Sequence, residues 1–318
     1  APPPAAPRPP PPRGGRARLT TDTIKEGESR AGLIAAAGAY VTWGFLPLYL
    51  KLISFADVRE VLAQRILWCV PAALIAVFVL SGWRTGWREI AGALNPRMLA
   101  TLAASSVFLF INWGLYVWLV MQQRVIESSL AYFLTPLVAV GIGFAFFRER
   151  ISWAQTAALA LAGIGVIVQG LALGAPPWMA LAICGAWSTY TIIRKQAPVP
   201  AAAGMLVESL VLVPVAILLL MWAASAAPLA SSLSWSNAIL LALAGPVTAL
   251  PMMLFTFGAR RISFAAIGLL QFLAPSLQFA TGIAFGEPFT LLRGVSFALI
   301  WAGLGFFAWD TLARARKA

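Results

Sequence analysis

The 318-residue sequence contains no histidine. That removes histidine-based zinc sites, imidazole general bases and imidazole proton relays from the available chemistry. Charged side chains make up 11% of positions, against the roughly one quarter usual in soluble domains. A water-soluble fold is thereby excluded. The two cysteines, Cys69 and Cys184, fall inside apolar runs, where a thiol behaves as a small hydrophobe rather than as half of a disulfide or a metal ligand. Apolar–polar alternation over about ten residues, the mark of a membrane β-strand, is missing as well. There is no G-x-x-x-x-G-K-[ST] loop, no HExxH, and no glycine fingerprint following a strand, so neither ATPase machinery nor a cofactor site is expected.

What is present is apolar: 60% of residues are hydrophobic. A membrane helix needs about 20 mainly apolar residues. Such runs fall at 31–52, 58–80, 98–121, 127–147, 153–173, 176–195, 203–223, 236–257, 264–285 and 291–310. The expected fold is therefore an all-α integral membrane protein of ten transmembrane helices. Residues 1–30, opening on APPPAAPRPPPPRGGRAR, cannot bury enough apolar surface to offset ordering and are read as a disordered tail. The first long run is already a full span, so no cleaved leader is expected.

The net charge of +12 would suggest nucleic acid in a soluble protein, but here the charges lie between spans. Short cytoplasmic loops favour Lys and Arg. With the N-terminus inside, Arg84, Arg88, Arg97, Arg148, Arg150, Arg194, Lys195, Arg260, Arg261, Arg314, Arg316 and Lys317 fall on the cytoplasmic side. Only Lys51, Arg59, Arg124 and Arg293 fall outside. Both ends are thus expected in the cytoplasm, in a multi-pass inner (plasma) membrane protein. The expected partners are a small-molecule solute and the lipid bilayer, not nucleic acid; a homodimer is one arrangement left open.

The two halves echo each other. An offset of 144 lays Trp43 on Trp187 and Lys51 on Lys195, and laying the second span over the seventh puts Pro71 on Pro214. FLTP at 133–136 answers FLAP at 272–275, each followed by a glutamate, Glu149 and Glu287. AGIG at 162–165 answers AGLG at 302–305 as small-residue helix contacts. Five helices per half is an odd number, so the second half must enter the membrane inverted. Residues 31–173 and 174–312 are accordingly read as two inverted five-helix repeats, with 313–318 a basic cytoplasmic tail. Inverted repeats are the architecture of alternating access.

QRILW at 64–68, NWGLYVWLV at 112–120, ESSLAYFLTPL at 127–137, FRERIS at 147–152, VESLVLVP at 207–214, GPVTALP at 245–251, GLLQFLAPSLQF at 268–279 and FGEP at 285–288 together resemble the RarD-type permeases of the EamA family. That family belongs to the drug/metabolite transporter superfamily and carries two five-helix EamA-type repeats. The resemblance implies a permease of small organic solutes, of a family whose name is tied to chloramphenicol sensitivity or resistance. One departure is the segment usually closer to ESSLGYFINPL, where Ala131, Leu134 and Thr135 stand here.

Ionisable groups inside a span are costly and mark function by default. Arg65 and Glu208 each lie six residues before the matched proline, opposite one another under the repeat; they border the central cavity or form an ion pair locking the halves. Asn112, with Tyr116, lies mid-span in the third helix, as substrate contact or as interhelical glue. Tyr132 and Gln271 occupy matched positions, and Gln278 shares the face of Gln271. Glu127 meets the dipole at the start of the fourth helix or serves coupling. Lys51 closes the first helix at the cavity mouth, or snorkels to the headgroups. Pro47, Pro71, Pro136, Pro214, Pro251 and Pro275 interrupt helices. The expected function is a secondary, ATP-independent transporter. The alternatives are a non-transporting scaffold or receptor and an intramembrane enzyme.

Overall fold

The computed structural model describes residues 30–147, 153–174, 176–259, 261–262 and 270–315. Residues 1–29, 148–152, which include Arg148, Glu149 and Arg150, Ala175, Arg260, the stretch 263–269 and residues 316–318 lie outside the described residues, as do the side chains of Pro136 and Lys195. Among the described residues there are helices and no strands. Six helical stretches are long and apolar enough to cross a membrane: Arg30–Leu52, Val58–Ser81, Pro96–Met121, Ala201–Ala226, Trp235–Phe255 and Leu291–Asp310.

In chain order the helices are α1 (30–44), α2 (Leu46–Leu52), α3 (Val58–Ser81), α4 (Trp83–Ala93), α5 (Pro96–Met121), α6 (Val125–Phe147) and α7 (Trp153–Leu173). Then follow α8 (Trp178–Gln196), α9 (Ala201–Ala226), α10 (Ala230–Leu233), α11 (Trp235–Ala242), α12 (Ala244–Ala259), α13 (Leu273–Ala284) and α14 (Leu291–Ala315). Caps set several boundaries. Asp57 starts α3 by accepting the Arg59 N–H at 2.8 Å, and the adjoining Arg59 guanidinium holds its carboxyl below the usual range. Asn95 caps α5 ahead of Pro96, which needs no hydrogen-bond partner at that position. Gly82, at φ 73°, supplies the left-handed turn between α3 and α4.

Two spans expected as continuous are broken. The first divides at Phe45, two residues before Pro47, which sits in the first turn of α2. Trp235–Phe255 divides at Leu243, with Pro246 in the first turn of α12. A proline has no N–H to give the preceding turn and disfavours helical geometry in the residue before it, so the helix restarts. Pro71, Pro214 and Pro251, by contrast, lie inside α3, α9 and α12.

A further element went unseen in the hydropathy pattern. α4 is amphipathic: Gly86, Ile90 and Ala93 are buried, while Trp83, Arg84, Trp87 and Arg88 are exposed. Gly86 lets it lie against Val77 and Phe78, and the Phe78 ring stacks on Trp83 with centroids 4.7 Å apart. An exposed Trp/Arg face over an apolar underside is the composition of a helix lying in the membrane interface.

The bundle is apolar outside as well as inside, as lipid requires: Ile75, Val79, Ile167, Leu171, Leu218 and Met221 are all exposed. Inside, helices close on small residues. α7 and α14 form the most extensive pair, and the matched glycine motifs meet there, Gly165 against Ile300 and Gly303 against the Ala158 carbonyl. Gly245 of α12 lies directly on the backbone of Trp68 in α3, and Gly258 lies on Gly32 and Ala36 of α1.

Candidate functional site

Among the described residues five charged side chains are buried: Glu60, Arg65, Glu127, Glu208 and Glu287. Their partners sort them into three places. The first centres on Arg65 of α3, 6% exposed, whose guanidinium lies over the Trp113 ring of α5 at 4.6 Å. Its Nε and Nη1 have no hydrogen-bond partner, and the Tyr116 hydroxyl and the Ser188 hydroxyl have none either. The Tyr116 and Tyr132 rings stand edge to face at 5.8 Å, and Tyr132 in turn faces Trp187 of α8 at 6.4 Å. The Tyr132 hydroxyl donates to Asn112 Oδ1 at 3.4 Å, and Asn112 Nδ2 donates to the Ile183 carbonyl at 3.3 Å. Asn112 therefore joins three helices and touches the cluster at once. Tyr49 and Cys69 also lie within electrostatic reach of Arg65. Four residues singled out in the sequence, Arg65, Asn112, Tyr116 and Tyr132, are thus brought together by α3, α5, α6 and α8.

Glu208 is not among them. It sits on α9 with no exposure, accepts from the Ser105 hydroxyl at 2.5 Å and the Tyr190 hydroxyl at 3.3 Å, and pairs with Arg194 Nε at 3.5 Å. Among the described residues Glu208 pairs with Arg194, not with Arg65. Arg194 had been counted as a topology-setting loop charge. The signal that it reaches inward is Gly204, where any Cβ would occupy the space of the Arg194 guanidinium. Ser105→Ala removes a hydrogen bond to a buried carboxylate, and thermal unfolding in detergent is expected to show a loss of about 1.5–3 kcal/mol.

The third place is one end of the bundle, where α3 and α6 begin and α9 and α13 finish. Glu60 accepts the N–H groups of Ala230 and Ser231, at 2.8 and 2.9 Å, at the start of α10. Glu287 accepts those of Val125 and Ile126 at the start of α6, the second at 3.0 Å. A carboxylate at a helix start meets unsatisfied donors and the positive end of the dipole. Burial nonetheless pushes the Glu287 carboxyl above its ordinary value. Glu127, the expected cap of that helix, instead takes Arg124 at 2.5 Å. Glu287, Glu127 and Arg124 line a cavity of about 180 Å³ with Gln169 and Arg293. The sequence marks Glu60 only as a carboxylate near a span and Glu287 only as the glutamate after FLAP, within FGEP at 285–288; neither shows there as a helix clasp.

The remaining candidates stand apart. Gln271 is half-buried in a turn before α13 and makes no hydrogen bond among the described residues, whereas Gln278 is buried and donates to the Trp43 carbonyl at 3.0 Å. Lys51 is exposed, with Nζ 3.7 Å from the Phe285 ring centroid.

The profile of the EamA-like transporter family matches residues 30–170. Protein RarD of Streptomyces exfoliatus is 36% identical over 92% of this chain and 92% of its own. Protein RarD of Escherichia coli K12 is 34% identical over 91% and 98%. The chloramphenicol-sensitive protein RarD of Pseudomonas aeruginosa is 28% identical over 91% and 97%. A solved crystal structure aligns over 91% of this chain and 99% of its own with TM-score 0.56 and 19% identity, a likeness of fold.

Proposed function

The chain belongs to the EamA-like transporter family, within the drug/metabolite transporter superfamily, and on that premise we propose that it is a secondary, ATP-independent carrier of small organic solutes working by alternating access. As a member of that family it is a multi-pass membrane transporter rather than an enzyme. The observation that carries the mechanism is the Arg65 cluster: polar groups from four helices gathered inside the bundle, with donors left unmet. Such groups are retained in a span when they face a pathway.

Ten spans as two inverted repeats agree with how the helices pair. α3 packs on α9, α6 on α13 and α7 on α14, which are the second and seventh, fourth and ninth, and fifth and tenth spans. A two-fold axis in the membrane plane would set each helix against its own equivalent. Arg65 lies about two turns into α3 and Glu208 about two turns into α9. Inverted halves put them at equal depth from opposite faces, which is why they do not meet. The Lys/Arg bias favours cytoplasmic ends and an inner-membrane location. The doubly clasped end would then face outward, in a state closed on that side.

Uptake and efflux of labelled metabolites, chloramphenicol included because one relative is named for it, should be followed in proteoliposomes with and without a pH gradient. Gradient-driven flux is expected, and it should fall by more than about tenfold, the equivalent of ~1.4 kcal/mol, in Arg65→Ala. Folded wild-type protein that moves no compound would leave the scaffold reading instead.

A further inference from the structure

We infer that the Arg65 cluster is a binding site for a small organic monocarboxylate with an apolar body. The inference rests on the carrier reading above and adds the charge of what is carried.

Charge balance among the buried residues decides the sign. Glu208 has Arg194, Glu127 has Arg124, and Glu60 and Glu287 each have two backbone N–H groups. Arg65 is the one fully buried cation among the described residues, and no carboxylate there pairs with it. The Trp113 face answers part of its charge, since a ring quadrupole attracts a cation, but offers nothing to its N–H groups. Two guanidinium nitrogens and the Tyr116 hydroxyl are left as a convergent set of unmet donors. A planar guanidinium with a hydroxyl beside it suits a carboxylate.

The same balance narrows the class. One cation neutralises one negative charge, so a phosphate dianion would leave excess charge in hydrocarbon. A zwitterion would need a buried carboxylate facing its ammonium, and the nearest candidate by symmetry, Glu208, is committed to Arg194, Ser105 and Tyr190. The surroundings, Trp113, Tyr116, Tyr132 and Trp187, suit a flat or apolar body rather than a hydrated one.

The test uses one carbon skeleton at three charges: 3-phenylpropanoate, phenylalanine and phenethylamine, with acetate and butyrate as smaller carboxylates. Binding to the full chain is measured in detergent, in gluconate buffer with and without chloride, and flux is measured in proteoliposomes. Saturable 3-phenylpropanoate binding is expected, at least about tenfold tighter than phenylalanine, with phenethylamine weakest. Arg65→Gln should weaken it by about tenfold or more, Arg65→Lys by less, and Tyr116→Phe by a few-fold. If Arg65→Gln does not fold, the wild-type charge series and Tyr116→Phe decide alone. Equal or tighter binding of phenylalanine or phenethylamine overturns the inference. So does the absence of saturable binding by every carboxylate, or chloride binding that no carboxylate displaces. Flux indifferent to charge would overturn the anion and keep the carrier; carboxylate binding without flux would do the reverse.

Discussion

Replacing Glu208 with glutamine is expected to lower the unfolding free energy by about 3–5 kcal/mol, because it leaves the Arg194 guanidinium buried without a counter-charge. The carboxylate has no exposure, the Arg194 side chain only 13%, and Arg194 Nη1 already lacks a hydrogen-bond partner. Glutamine keeps the shape and one acceptor for Ser105 but removes the charge. The double variant Glu208→Gln with Arg194→Gln should recover much of the loss, since a pair removed together costs far less than a pair broken. Chemical unfolding of the four proteins in detergent closes this cycle. If Glu208→Gln alone costs under about 1 kcal/mol, water reaches the pair and Arg194–Glu208 behaves as a surface bridge.

Gly245→Ala is also expected to be damaging, by a different route. The glycine faces the backbone of Trp68, not a side chain that can rotate away, and an added Cβ would collide with the Trp68 carbonyl. Relief requires α12 to lift off α3, so the cost should reach the upper part of the range for overpacking, about 3 kcal/mol, with loss of properly folded material. Gly92→Ala is the matched control. Nothing lies within 4 Å of that position on exposed α4, and alanine should stabilise the helix by up to about 1 kcal/mol. Fluorescence-detected size-exclusion and unfolding midpoints of both variants separate the two effects. A Gly245→Ala protein as stable as wild type would mean that α12 and α3 are not in backbone contact.

Apolar helix positions were legible because hydropathy is a local property. The runs at 58–80 and 153–173 became Val58–Ser81 and Trp153–Leu173. α4 was not legible, since its signal is a helical period in a polar stretch, and a window scanning for apolar length passes over it. The breaks at Phe45 and Leu243 were only half visible: Pro47 was marked as an interruption, but whether a proline bends a helix or restarts it depends on its neighbours. Of the cluster around Arg65, the residues Arg65, Asn112, Tyr116 and Tyr132 are legible because a polar group within an apolar run stands out on its own. Partner choice did not show. Arg194 reads as a loop charge because its partner Glu208 lies on a different helix, and Glu60 and Glu287 bind backbone groups more than 160 residues away, which no local pattern encodes.

Those two glutamates bear on how the chain could be cut. Glu60 lies in the stretch 30–174 and clasps Ala230 and Ser231; Glu287 lies in 176–315 and clasps Val125 and Ile126. Each stretch therefore supplies an acceptor to the other and leans on the other for one. Made singly, either fragment would keep a carboxylate with nothing to accept and a helix start with bare N–H groups, besides the uncovered faces of α3 or α9. Split expression at residues 174–176 should yield material that survives only when both pieces are co-produced, so the unit of assembly is the pair, even though the family profile matches only the first piece.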